Sequence, residues 1–234
     1  MRRAVLVSTL ALVGCALGAA PARATSLIFE PDSGSFANFG VLPQGYGDRV
    51  VAASQDGFAY SLSGGVTPNV VTDYGNGALP TIYTWDTDYG DLRHVIFAQE
   101  PQVFQFRLVA DAGYQVTLNS FDMASWPNVD YTIDRVSVVD GDGNILYNQN
   151  NVLSQGDFVG PRHTSFLFSG LTASVLEIQF DSRNMGDSDD VGIDNINFSQ
   201  SSSSVPEPAT LTTLGIGLLT LARSIRRRAV RPAR

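Results

Sequence analysis

Apolar and polar residues alternate with a period of two over several short stretches of this chain. Phe104, Phe106 and Leu108 are separated by Gln105 and Arg107; Tyr114, Val116 and Leu118 repeat the pattern; Leu176, Ile178 and Phe180 alternate with Glu177, Gln179 and Asp181. This spacing places each apolar set on one face of a strand. Phe58, Tyr60 and Leu62 mark an earlier strand. Between such runs stand turn-forming clusters: Ser63-Gly64-Gly65, Asp140-Gly141-Asp142-Gly143-Asn144 and Ser169-Gly170. The body has no sustained helical period. The pattern therefore predicts an all-β domain, an antiparallel β-sandwich of jelly-roll type, with Phe104, Phe106, Leu118, Leu176, Ile178 and Phe180 in its core.

The two ends follow different rules. Arg2 and Arg3, the apolar run from Ala4 to Leu17 and the small residues of Ala22-Arg23-Ala24 have the order of a signal peptide over residues 1–24, removed by signal peptidase before Thr25. Leu12-Val13-Gly14-Cys15 offers the alternative of a lipoprotein signal, with Cys15 as the lipid anchor. On the first reading the only cysteine is lost, and no disulfide supports the mature fold. The C-terminus carries a Ser-rich linker at 201–205, then Pro206-Glu207-Pro208, an apolar stretch predicting a transmembrane helix over about 209–225, and Arg223, Arg226, Arg227 and Arg228. Serines give a flexible spacer, prolines stop regular structure, the apolar stretch enters lipid, and the arginines stay cytoplasmic.

That order resembles the PEP-CTERM sorting signal of Gram-negative bacteria, which its family presents to a membrane-embedded exosortase. The resemblance assigns Pro206, Glu207 and Pro208 to the sorting motif within a segment at 206–234, Leu211 to Leu221 to its hydrophobic span and Arg223 to Arg228 to its basic cluster. It implies export, transient anchoring in the inner membrane, and delivery to the cell surface or extracellular matrix. The family's association with exopolysaccharide-producing bacteria makes polysaccharide a candidate partner.

Excluding both ends changes the charge. The basic residues are all arginine, nine of them in the terminal segments, so the body holds six arginines against 22 acids, a formal charge of −16. Such a body repels nucleic acid. At 25–200 it is long enough for one domain with a core.

Candidate chemistry falls into two groups. Asp187, Asp189, Asp190 and Asp194 crowd one region with Arg183 as the nearby cation. Like charges at this density are either solvated or bridged by a hard cation such as Ca2+, and both readings stay open. Val191 and Ile193 share one parity and Ile196 and Phe198 the other, which predicts a bulge near Asp194. Leu27-Ile28-Phe29-Glu30, Gln44-Gly45-Tyr46-Gly47-Asp48 and Gly192-Ile193-Asp194-Asn195-Ile196 resemble the ends of jelly rolls related to galactose-binding and carbohydrate-binding modules. That resemblance implies adjacent first and last strands, with Glu30 and Asp194 at a structural calcium and Asp48 as a third oxygen donor. Asp140-Gly-Asp142-Gly-Asn144 begins like an EF-hand loop, but Ile145 and Asn151 stand where Gly and Glu are required, so a hairpin turn is expected.

The second group is aromatic. Trp85, with Tyr83 and Tyr89, lies among acids and makes a candidate sugar-stacking patch; Trp126 stands in another expected loop. His94 and His163 lack a nucleophile partner pattern, Gly186-Asp187-Ser188 lacks its surrounding motif, and no His/Cys spacing suits zinc. The expectation is a noncatalytic surface or matrix protein that binds polysaccharide. A purely structural or adhesive matrix component and a secreted hydrolase are the alternatives.

Overall fold

The computed structural model describes residues 24–32, 37–75, 78–99, 103–181 and 190–203. Both address segments, including the sorting motif at Pro206, Glu207 and Pro208 and the expected span at 209–225, lie outside these residues. So do Arg183, Asp187 and Asp189 of the acidic loop.

Fourteen strands and no helix occur among the described residues. In chain order they are β1 (Ala24–Pro31), β2 (Gly40–Val41), β3 (Ser54–Gln55), β4 (Phe58–Ser63), β5 (Val70–Asp73), β6 (Ile82–Trp85) and β7 (Val95–Ala98). They continue with β8 (Phe104–Ala110), β9 (Tyr114–Ser125), β10 (Tyr131–Asp140), β11 (Ile145–Ser154), β12 (Thr164–Ala173), β13 (Val175–Asp181) and β14 (Val191–Ser202). One sheet has the order β11-β10-β13-β8-β5; a second has β12-β9-β14-β7-β6-β2; a small third sheet has β1-β4-β3. All these pairings are antiparallel, and β1 packs along β14, where Asn197 Nδ2 donates to Ser26 Oγ at 2.7 Å. The first and last described strands are thus neighbours.

The period-two runs account for the core. Phe104, Phe106 and Leu108 of β8 sit opposite Phe180, Ile178 and Leu176 of β13, so their side chains share the inner face. The rings of Phe104 and Phe180 stack 4.3 Å apart. All six core residues named from the sequence are buried. Stacking adds to the burial of each large side chain, itself worth about 1.5–3 kcal/mol. On the outer face the same register pairs Arg107 with Glu177, joined by an Nε to Oε2 contact, and Asp73 lies 3.6 Å from Arg107.

Two local expectations come out differently. Asp140 to Asn144 does form the hairpin turn: Asp140 accepts from Asn144 Nδ2 through Oδ2 and from the backbone N–H groups of Asn144 and Asp142 through Oδ1, which together hold its carboxyl below the usual range. Ser169-Gly170 does not end a strand. Gly170, at φ 85°, allows a bulge within β12, and the register resumes from Leu171.

Candidate functional site

Two regions hold the side chains singled out from the sequence. The first is the junction of β1, β9 and β14. The expected bulge is there: β14 shifts register between Asp194 and Asn197, and Asn195 takes φ 54°. On β1 the pairing with β4 shifts between Leu27 and Pro31, where buried Phe29 takes φ 49° and its N–H donates to Tyr46 Oη at 2.7 Å. Left-handed backbone is rare for a bulky residue, so Phe29 marks local strain on β1, whereas Asn195 is of a type that tolerates it.

Glu30 and Asp194 lie close enough here for the charge of one to act on the other, with a third acid the sequence did not single out. Asp122 of β9 lies directly opposite Asp194. Burial pushes the Asp194 carboxyl well above the usual range, and the charges of Asp122 and Glu30 push it the same way, against the N–H of Asn195 at 2.6 Å. Asp122 is held by Ser165 Oγ at 2.7 Å and Asn195 Nδ2 at 3.0 Å. Asp48 is drawn elsewhere: its Oδ1 accepts from the N–H and Oγ1 of Thr72, at 2.7 and 2.9 Å. Among the described residues no group of three His, Cys, Asp or Glu side chains is arranged to hold a metal ion. A cation at Glu30 and Asp194 would need backbone carbonyls and water for the rest of its shell.

The second region is aromatic and lies beside the loop end of the sandwich. Tyr83 and Trp85 alternate with buried Ile82 and Thr84 along β6, so they stand on the outer face of their sheet, half-buried. Phe39, 48% exposed, meets both edge-on at 5.7 and 5.3 Å. Trp85 also meets Trp126 edge-on at 5.9 Å, and neither buried indole N–H has a partner.

Tyr89 corrects the sequence reading. It is 1% exposed and forms a small second core with Leu92, Val95 and Ala124, so its ring is closed to any ligand. Gly192 makes room for it: a Cβ there would lie 3.0 Å from Tyr89 Cε1 and 2.7 Å from Val95 Cγ2.

Next to this core is a cleft of about 300 Å³, lined by Asp86, Asp88, Asn128, Phe158 and Arg162 among others. Three connections build it. Asn128, from the β9–β10 loop, donates through Nδ2 to Asp88 Oδ1 at 3.0 Å and accepts from the Gly90 N–H at 3.0 Å. Arg162, from the β11–β12 loop, donates through Nη2 to Gly90 O at 2.7 Å, and its guanidinium lies 4.6 Å from the centroid of the Phe158 ring. Asp130 Oδ1 accepts from the N–H groups of Gly156 and Asp157, tying the last two loops together and lowering its own pKa. The buried Nε of Arg162 has no partner, and Phe158 is 63% exposed. His163 Nδ1 lies 2.8 Å from Asp91 Oδ1 and its Nε2 3.9 Å from Asp122 Oδ1, linking cleft and junction.

Sequence reasoning missed Asp122, Phe39, Asn128, Phe158 and Arg162. Phe158 had a signal, an aromatic among Gly156, Gly160 and Pro161. Asp122 had none, since a polar residue between Phe121 and Met123 reads as an ordinary outward position.

Comparison with known proteins bears on the C-terminal segment. No curated protein matches the chain. A solved structure titled "CBM4 structure and function" aligns at 16% identity and a TM-score of 0.33, covering 56% of this chain and 94% of its own. Residues 204–228 match the family described as the PEP-CTERM protein-sorting motif, so the chain carries a sorting signal of membrane-anchor type, which implies processing by an exosortase.

Proposed function

We propose that this chain is an exported protein, sorted by an exosortase to the cell surface or matrix, whose sandwich, read as a jelly roll, binds polysaccharide without catalysing a reaction. The observation that carries the binding reading is the loop-end cleft. An exposed aromatic ring stands there beside Asp86, Asp88 and Asn128, whose oxygens accept hydroxyl hydrogens, and beside the Arg162 guanidinium. Sugars present an apolar C–H face and a rim of hydroxyls, and this lining offers a counterpart for each. Trp85, Tyr83 and Phe39 extend aromatic surface next to it. The acidic body disfavours uronate or phosphate polymers and leaves neutral and amino sugars.

Binding to neutral polysaccharides in affinity electrophoresis tests this. Phe158→Ala and Asp88→Ala are each expected to weaken the interaction about tenfold, roughly 1.4 kcal/mol. Mobility that no polysaccharide changes would favour the second reading, a structural or adhesive matrix component. For sorting, mass spectrometry of the mature protein is expected to find Thr25 at the start and no tail arginines. Retention of Arg234 in a host with active exosortase contradicts it.

The approach of Glu30 to Asp194 supports a structural calcium as a further part of the proposal. A bound ion would raise the melting temperature, by about 2.7 kcal/mol of added stability at a hundredfold excess over Kd. Identical wild-type melting curves in chelator and in excess calcium would remove the ion from the account.

A further inference from the structure

The sandwich has an unguarded side. Strand β11 is the edge of the five-stranded sheet and β12 the edge of the six-stranded one; among the described residues β11 pairs with β10 alone and β12 with β9 alone. The two are consecutive in the chain and touch, with Tyr147 of β11 edge-on to Phe166 and Phe168 of β12 at 6.3 and 5.0 Å. Neither strand contains a single charged residue or a proline: β11 reads ILYNQNNVLS and β12 reads TSFLFSGLTA.

Such edges are unusual for a chain that must stay apart from its copies. An open edge presents unpaired N–H and C=O groups, and sheets protect it with lysine, proline, inward charges, bulges or a cover; on β11 a bulge and the turn at Asn151 protect only its two ends. The opposite edge of the five-stranded sheet has such protection, since β5 carries Asp73 beside Arg107. On β11 the residues from Asn148 to Asn151 are all exposed, Ile145 and Leu153 are 62% and 47% exposed, and Leu167 of β12 is 81% exposed. The β11 ladder shifts between Tyr147 and Ile145, leaving Leu146 as the extra residue of a bulge, and Asn151 turns to φ 52°, so Tyr147 to Asn150 form a short regular edge between the two irregularities.

We infer that this edge pairs with the same edge of a second copy, β11 against β11 antiparallel, joining two five-stranded sheets into one. Charge selects the occupant. The body carries 22 acids against six arginines, so most of its surface repels another copy; a strip without carboxylates can meet itself without opposing like charges. A closed two-fold contact needs a self-complementary patch. Centred on Asn148, antiparallel pairing sets Asn148 opposite Asn148 and Tyr147 opposite Gln149, both within the regular edge. Asn carries both donor and acceptor, so each central side chain can satisfy the other. Asn151 and the hairpin turn bound the regular edge, which favours a closed pair over an open ladder. The pairing does not depend on any ligand in the cleft.

Cysteine cross-linking of the full chain in membranes tests it. Opposed residues of antiparallel strands have Cα atoms about 4.5–5.5 Å apart, within the roughly 4.4–6.8 Å of a disulfide. Asn148→Cys is therefore expected to give a disulfide-linked homodimer on mild oxidation, while Ala52→Cys, exposed before β3, does not. Asn148→Lys with Asn150→Lys places like charges across the two-fold. With the circular dichroism spectrum unchanged, it is expected to lower the dimer fraction in sedimentation of the detergent-solubilised chain about tenfold, or roughly 1.4 kcal/mol. No cross-link at Asn148→Cys, equal cross-linking at Ala52→Cys, a cross-link to a different protein, or a dimer that survives both lysines would each overturn the inference.

Discussion

Gly90→Ala is expected to lower the melting temperature by roughly 6–12 °C, and to open the loop end of the sandwich. A Cβ at this position would lie 1.7 Å from the carbonyl oxygen of Arg162 and 2.7 Å from its carbonyl carbon, and both obstacles are backbone. No rotamer change relieves that contact. The residue also sits at φ 59°, where a side chain adds strain of its own. Taking overpacking and left-handed strain together at about 3 kcal/mol gives the stated shift for a domain of this size, at about 2–4 °C per kcal/mol. The damage is local before it is global. Gly90 accepts from Arg162 Nη2 and donates to Asn128 Oδ1, so moving it releases both partners. Hydrogen exchange should quicken first in 86–94 and 155–163, and polysaccharide binding should fall with it. Unchanged exchange in those segments would mean that the loops are not interlocked through Gly90. Phe158→Ala is the contrast, since it removes a largely exposed ring and should weaken binding with little change in melting.

The sandwich was legible because strand pairing preserves a local pattern. Phe104, Phe106 and Leu108 announce an inner face by their spacing alone, and the β8–β13 pairing must keep that parity to bury both sets, since a one-residue slip would turn one set outward. The bulge at Asp194 was legible for the same reason, as a change of parity that a continuous strand could not make. Ser169-Gly170 misled because a bulge and a turn draw on the same residues. The cleft was not legible. It gathers residues 86–91, 128 and 158–162 from three loops, and no short-range period relates them. Tyr89 was misread for a related reason, because its burial depends on the missing side chain of Gly192, a hundred residues on. The resemblance at the chain ends paired Glu30 with Asp194, whose charges do influence each other, but Asp122 became their neighbour only through the β9–β14 register.

Asp194→Asn is expected to stabilise the domain at neutral pH in metal-free buffer. The wild-type carboxyl is buried, faces Asp122 across the strand pair, and has Glu30 nearby, so its folded pKa is raised above the unfolded value of about 3.9. The native state therefore binds more protons than the unfolded chain between those two values. Its favourable contribution is fully present below the unfolded pKa and is lost as pH rises through the folded one. Each unit of pH across that window costs about 1.36 kcal/mol. Asparagine keeps an oxygen for the Asn195 N–H and carries no charge. Melting curves from pH 4 to pH 8 should show wild type losing stability with rising pH relative to Asp194→Asn, and the gap should close toward pH 4. Calcium separates the two accounts of this junction. An ion bound by Glu30 and Asp194 would compensate the carboxylates, restoring wild-type stability at neutral pH and leaving the variant unmoved. A variant less stable than wild type at pH 7 without metal would show that the Asp194 carboxylate is stabilised in the fold, and that its burial beside Asp122 carries no penalty to remove.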